Sequence, residues 1–107
     1  MIGVEIDMIV ANSLQALAMY ARIFDIEHIE ATAYPQGLNE AIFTMYNTRF
    51  HLLDENREYQ MFAPRPGDPK PMWINVVVPD ICKTFEQALE NGCILLKHVR
   101  SGQLETI

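Results

Sequence analysis

The sequence predicts an α+β fold built from strand–helix–strand units, and three observations lead to that prediction. Residues 4–10 alternate apolar and acidic side chains, which is typical of a strand with one buried face. Residues 14–24 repeat apolar side chains every three or four positions, as a helix packed on a sheet does. The same pattern returns at residues 73–89. With 107 residues, half of them apolar, the chain has the size of one domain.

The first predicted strand, Val4–Val10, directs its even-numbered residues to the core and places Glu5 and Asp7 on the opposite face. Those acids can form a solvated face, line a cavity or bind a ligand. Asn12 and Gln15 have the spacing of a capping box, so a helix is expected to begin there and to end near Asp25.

Three more strands are predicted after this helix. The last two are expected to form a hairpin, because the Asn-Thr pair between them suits a tight turn. The predicted strands are Glu27–Tyr34, Ala41–Tyr46 and Arg49–Asp54, with the turn at Asn47-Thr48. Four prolines then predict a Pro-rich linker or surface loop over residues 55–72.

The second half of the chain repeats the first at a shift of 68 residues. A β-branched strand at Trp73–Val78 precedes a helix capped by Asp80 and stopped by Asn91-Gly92, and Cys93–Val99 suggests another strand. We interpret this as a duplication. Residues 1–54 are the expected first βαβββ unit and residues 73–107 an incomplete second unit that lacks its last two strands.

Composition excludes several classes of partner. The net charge is −6 and the eight basic residues are scattered, so neither nucleic acid nor an anionic membrane surface is expected to bind. No apolar run approaches the length of a membrane span, and the N-terminus does not have the pattern of a signal peptide. A cytoplasmic protein is the expectation.

Tandem βαβββ units with this pattern resemble the glyoxalase/bleomycin-resistance/dioxygenase group, the vicinal oxygen chelate superfamily. The similarity extends over the whole chain, and its general shape is closest to members named demethylubiquinone methyltransferase-like. It implies the glyoxalase/bleomycin resistance/dihydroxybiphenyl dioxygenase fold. The segments that show it are Met8–Ser13, Ala18–Phe24, Ala41–Phe43, Phe50–Asp54 and Trp73–Asp80.

The resemblance also implies a site. Metal-dependent members take one ligand from the first strand and one from the last strand of each unit, and these positions fall on Glu5 and His51. In the second unit, the position that matches Glu5 is Trp73, which cannot bind a metal. The position that matches His51, the fourth ligand position, would follow Ile107. A metal-free cleft is therefore expected, with Trp73 as a stacking surface for a planar ligand. The expected lining is Glu5, Asp7, His51, Trp73 and Asn75.

Three functional hypotheses follow. The first is a small-molecule-binding protein of the glyoxalase/bleomycin-resistance type without a cofactor. The second is a metal-dependent lyase, isomerase or dioxygenase in which Glu5 and His51 hold a divalent transition metal. The third is a protein that works only by associating with a partner. Because an incomplete unit leaves strand edges uncovered, a homodimer is expected.

Overall fold

The computed structural model describes residues 2–95, and the chain divides into two compact units after Asp68. The first unit contains a four-stranded mixed sheet and an α-helix, and the described residues of the second, up to residue 95, contain one α-helix. These elements confirm the predicted α+β class, and the first unit has the predicted order of strand, helix and three strands. No helix within residues 2–95 has the length and apolar character needed to cross a membrane.

The sheet of the first unit has the strand order β1-β4-β3-β2. Strand β1 runs parallel to β4, whereas the β3–β4 and β2–β3 pairs are antiparallel. A 3-10 helix, Arg57–Tyr59, follows the sheet in the proline-rich segment. The main elements are β1 (Glu5–Val10), α1 (Ser13–Ile23), β2 (Ile26–Ala31), β3 (Glu40–Met45) and β4 (Thr48–Asp54).

One face of this sheet forms the core with α1. Alternate side chains of the two central strands, β3 and β4, are buried on that face, as the two-residue period of a strand requires. Phe43 stacks on Phe50 with ring centroids 5.4 Å apart, and the ring of Tyr20 from α1 lies 5.9 Å from that of Phe43. The buried row comprises Ala41, Phe43, Met45, Phe50 and Leu52.

The opposite face, here called the open face, carries the intervening side chains. The strand register aligns them in rows, so that residues far apart in sequence become neighbours. The first row consists of Glu5, Arg49, Thr44 and Glu27, the second of Asp7, His51, Ile42 and Glu30, and the third of Ile9, Leu53 and Glu40.

Helix α1 begins where the sequence predicted. The Asn12 side chain accepts a hydrogen bond from the Gln15 backbone N–H at 3.0 Å. The helix ends at Ile23, two residues earlier than expected, because Phe24 adopts an extended conformation. Within the periodic segment 14–24, Ala21 is exposed, whereas Ile23 is buried.

Three predicted features of the strands are wrong in detail. Val4 was placed in the core row, yet it is 83% exposed because β1 begins one residue later. Strand β2 stops at Ala31 rather than Tyr34, since the Asn39 side chain binds both the N–H and the carbonyl of Tyr34 in place of a strand partner. The hairpin turn is centred one residue earlier than expected.

That turn consists of Tyr46 and Asn47, which both have positive φ, 48° and 69°. Met45 pairs with Thr48 across it, so this is a two-residue hairpin whose backbone twist matches that of the flanking strands. Asn tolerates positive φ readily, whereas Tyr seldom adopts it, which explains why the sequence pointed to the following pair.

In the second unit, α2 (Ile81–Glu90) confirms the predicted helix. Asp80 caps it by accepting a hydrogen bond from Lys83 N–H at 3.1 Å, and Gly92 follows its end with φ of 95°. The predicted strand over residues 73–78 is not formed within the described part of the chain. The strand predicted at Cys93–Val99 lies largely outside the described residues, and the described residues 93–95 are not in a strand.

Candidate functional site on the open face

The parallel pairing of β1 with β4 builds a polar cluster on the open face. It places Glu5 opposite Arg49 and Asp7 opposite His51. All four side chains point away from α1 because their neighbours Phe50 and Leu52 occupy the core face. The structure thus brings together three of the residues that the sequence selected, Glu5, Asp7 and His51.

His51 is the centre of this cluster. Its Nδ1 lies 2.8 Å from Glu5 Oε1 and 3.7 Å from Asp7 Oδ1, and its Nε2 lies 3.6 Å from Glu40 Oε2. The side chain is only 18% exposed, and Nε2 has no hydrogen-bond partner in the described part of the chain. In the neutral imidazole whose proton is on Nδ1, that nitrogen donates to Glu5 and Nε2 keeps an unused lone pair.

Arg49 forms a hydrogen bond with the second carboxylate oxygen of Glu5. Its Nε donates a hydrogen bond to Glu5 Oε2 at 3.0 Å. Both oxygens of the Glu5 carboxylate therefore have partners, and Arg49, Glu5 and His51 form one continuous chain of polar contacts.

The two carboxyl groups of β1 have opposite pKa shifts. The hydrogen bond from the Asp7 side chain, helped by Arg49 and His51, holds the pKa of Glu5 below its ordinary value. Partial desolvation and the neighbouring Glu5 carboxylate raise the pKa of Asp7.

The cluster also has the donor groups of a metal site. Glu5, Asp7 and His51 each offer one ligand atom, and these atoms lie within 4.8 Å of one another. Imidazole with carboxylates suits divalent transition metals. The Arg49 guanidinium, however, competes with any cation for Glu5.

Trp73 and Asn75, the other two predicted site residues, belong to the second unit. Trp73 is 74% exposed, and Asn75 is exposed as well. Their part in the site stays a prediction.

Two members of the cluster were missed by sequence reasoning. Arg49 has the same strand parity as His51, so its place on the open face could have been read from the alternation. Glu40 precedes the predicted start of β3 by one residue and for that reason was not assigned to a face. Starting β3 at Glu40, as the structure does, puts its carboxyl group beside His51.

Asp54 holds the elements around the site in place from the core side of the sheet. Its Oδ1 accepts from the Ser13 backbone N–H at 2.7 Å, and its Oδ2 accepts from the N–H groups of Gly37 at 2.9 Å and Asn39 at 3.0 Å. Burial opposes the charge, but these N–H donors outweigh it and lower the pKa of Asp54 below its ordinary value. One carboxylate thereby ties the end of β4 to the start of α1 and to the segment that leads into β3.

No protein-family model, curated protein or solved structure matches this chain.

Proposed function

We propose that this protein is a small-molecule-binding protein of the glyoxalase/bleomycin-resistance type that binds its ligand on the open face without a catalytic metal. The order of elements in the first unit is compatible with one βαβββ unit of that fold. In this proposal the ligand lies over the part of the open face formed by Glu5, Asp7 and His51.

The observation that carries this proposal is His51 Nε2, which is buried and has no hydrogen-bond partner within residues 2–95; the charged atom Glu40 Oε2 lies 3.6 Å away from it. Burying a polar atom without a hydrogen bond costs free energy. A ligand that forms a hydrogen bond with Nε2 would remove that cost. Glu5 orients the imidazole through Nδ1, which makes Nε2 an acceptor for a ligand O–H or N–H group. Arg49 keeps Glu5 in place.

Apolar side chains beside the cluster give the ligand a surface to bury. Ile9, Ile42 and Leu53 lie on the same face and are half-buried. A few polar groups within an apolar surface are typical of small-molecule sites. The favoured ligand is therefore a compact, partly apolar molecule that carries a hydroxyl or amine group.

A second candidate function is metal-dependent lyase, isomerase or dioxygenase chemistry, and the proximity of three ligand atoms favours it. Glu5, Asp7 and His51 would hold the ion, which would polarise vicinal oxygens of a substrate. In that case Glu5 would have to exchange its contacts with Arg49 and His51 for the metal.

Two measurements on the purified chain separate these functions. The first is elemental analysis after expression in metal-replete medium, for which the proposal expects no stoichiometric transition metal. The second is a thermal-shift screen of metabolites in the presence of EDTA, in which at least one compound should raise Tm. That shift should disappear in His51→Ala and persist in Glu30→Gln, a change of an exposed residue in the same row.

Other results would count against the proposal. A bound metal that is lost in His51→Ala would support the enzyme instead. If no compound shifts Tm, with or without metal, the protein would be expected to act only through a macromolecular partner.

The predicted homodimer remains part of the proposal. Strands β1 and β2 are the outer strands of the four-stranded sheet, and outer strands offer unpaired backbone groups to another chain. Light scattering on the eluted protein should give twice the mass of the 12.3 kDa chain. A mass that stays at one chain over the whole concentration range would exclude the dimer.

A further inference from the structure

A cavity of about 450 Å³ lies in the first unit, beside the β3–β4 turn and away from the cluster around His51. Its volume is in the range of small-molecule sites. The lining residues come from the residue before β2, from β2 and β3, and from the turn: Asp25, Glu27, His28, Thr44, Tyr46 and Asn47.

A β-bulge in β2 shapes one wall of this cavity. Glu27 pairs with Thr44 and Glu30 pairs with Ile42, so two residues of β2 face one residue of β3. His28 is at the bulge, with φ of 54°. The extra residue brings His28 beside Thr44 on the open face, next to Glu27.

The hydrogen bonds at this wall fix the roles of its polar atoms. The Thr44 hydroxyl donates its single proton to the Glu27 carbonyl at 3.1 Å. It must then accept the 2.9 Å hydrogen bond from His28, so the His28 proton is on Nδ1. Nε2 of the neutral ring is left as an acceptor.

The charged groups of the lining are all of one sign at neutral pH. Asp25 and Glu27 contribute carboxylates, and neither forms an ion pair within residues 2–95. No Lys or Arg lines the cavity. Tyr46, which is 43% exposed, adds an aromatic ring that can hold a cation against its face.

We propose that this cavity is a second binding site, which takes a small organic cation of the alkylammonium class. The ammonium group is held by Asp25 and Glu27 and lies against the ring face of Tyr46. A single metal ion is the poorer occupant, because within residues 2–95 it is Glu5, Asp7 and His51 that come close enough to share one. The site is independent of the ligand proposed for the cluster around His51.

Titration of the ¹⁵N-labelled full chain with n-butylammonium chloride at constant ionic strength, followed by backbone amide shifts, tests this proposal. Saturable shifts are expected at the cavity residues Glu27, His28, Thr44, Tyr46 and Asn47. Neutral 1-butanol, of similar size, should produce none that saturate.

Two variants isolate the charge. Glu27→Gln should weaken binding by up to about fivefold, the upper end of the range for one exposed ion pair. Glu30→Gln, which removes a carboxylate from the same strand outside the cavity, should leave the affinity unchanged. The amide spectra of both variants also show directly whether each is folded.

Three results at the cavity itself would overturn the proposal. They are the absence of saturable shifts, equal saturation by 1-butanol, and equal weakening in the two variants. Shifts centred on Glu5, Asp7 and His51 would also overturn it, because the cation would then bind at the other acidic cluster.

Discussion

The two faces of the sheet in the first unit are built from alternate residues of the same strands, yet they have opposite chemistry. On the α1 face, Phe43 and Phe50 stack beneath Tyr20 and exclude water. On the open face, the neighbouring residue His51 contacts carboxylates, and its Nε2 has no hydrogen-bond partner in the described part of the chain. Burial is concentrated on the α1 face, so we expect stability to depend mainly on that face, and the proposed ligand binds the other.

The largest expected effect is the loss of the aromatic core. Phe43→Ala should reduce the free energy of unfolding by about 3–5 kcal/mol, because it removes a fully buried ring and leaves a cavity. Ile42→Ala, the adjacent change on the open face, should cost about 1 kcal/mol, since that side chain is only half-buried. Urea unfolding measures both. Equal losses would mean that the two faces are equally important for stability.

The second effect concerns Asp54, the buried carboxylate on the core side. Asp54→Asn should cost about 1–3 kcal/mol near neutral pH, because three backbone N–H groups lose a charged acceptor. The folded-state pKa is lowered, so the Asp54 contribution is complete above the unfolded carboxyl pKa of about 3.9 and is lost as pH falls through the folded value. The stability difference between wild type and variant should therefore shrink in acid.

Unfolding curves from pH 7 to pH 2 test this dependence. Glu30→Gln is the matched control, since Glu30 is exposed and should have little effect at any pH. A difference for Asp54→Asn that stays constant through the acid range would contradict the assignment of Asp54 as a charged anchor.

The smallest expected effect on stability is that of Glu5, on the open face. Glu5→Ala should leave unfolding almost unchanged, because the contacts it removes are accessible to solvent. It should instead change the tautomer of His51. The ¹⁵N shifts of the imidazole should report a proton on Nδ1 in the wild type and a mixture of tautomers in the variant. A wild-type ring protonated mainly on Nε2 would contradict the proposed orientation.

Local signals in the sequence predicted much of this fold. The caps Asn12 and Asp80 were placed correctly because a helix satisfies its hydrogen bonds within its own segment. Strand parity likewise placed Glu5, Asp7 and His51 on one face. These inferences need only neighbouring residues.

Features that depend on distant partners were not predicted. At the shift of 68 residues, α2 begins at Ile81 as expected, but residues 73–78 form no strand in the described part of the chain. Their β-branched side chains favour extension, and among them Val77 alone is assigned to a β-bridge. The hydrogen bonds of Asp54 with Gly37 and Ser13 span 17 and 41 residues, and no local pattern encodes them.

The most direct test of the central claim is to map a ligand from the EDTA screen onto the two faces by backbone amide shifts. The proposal predicts saturable changes at Glu5, Asp7, Glu40 and His51, with the α1 residues Ala16 and Tyr20 unaffected. Changes centred on α1, or changes that require an added metal, would contradict a metal-free binding site on the open face.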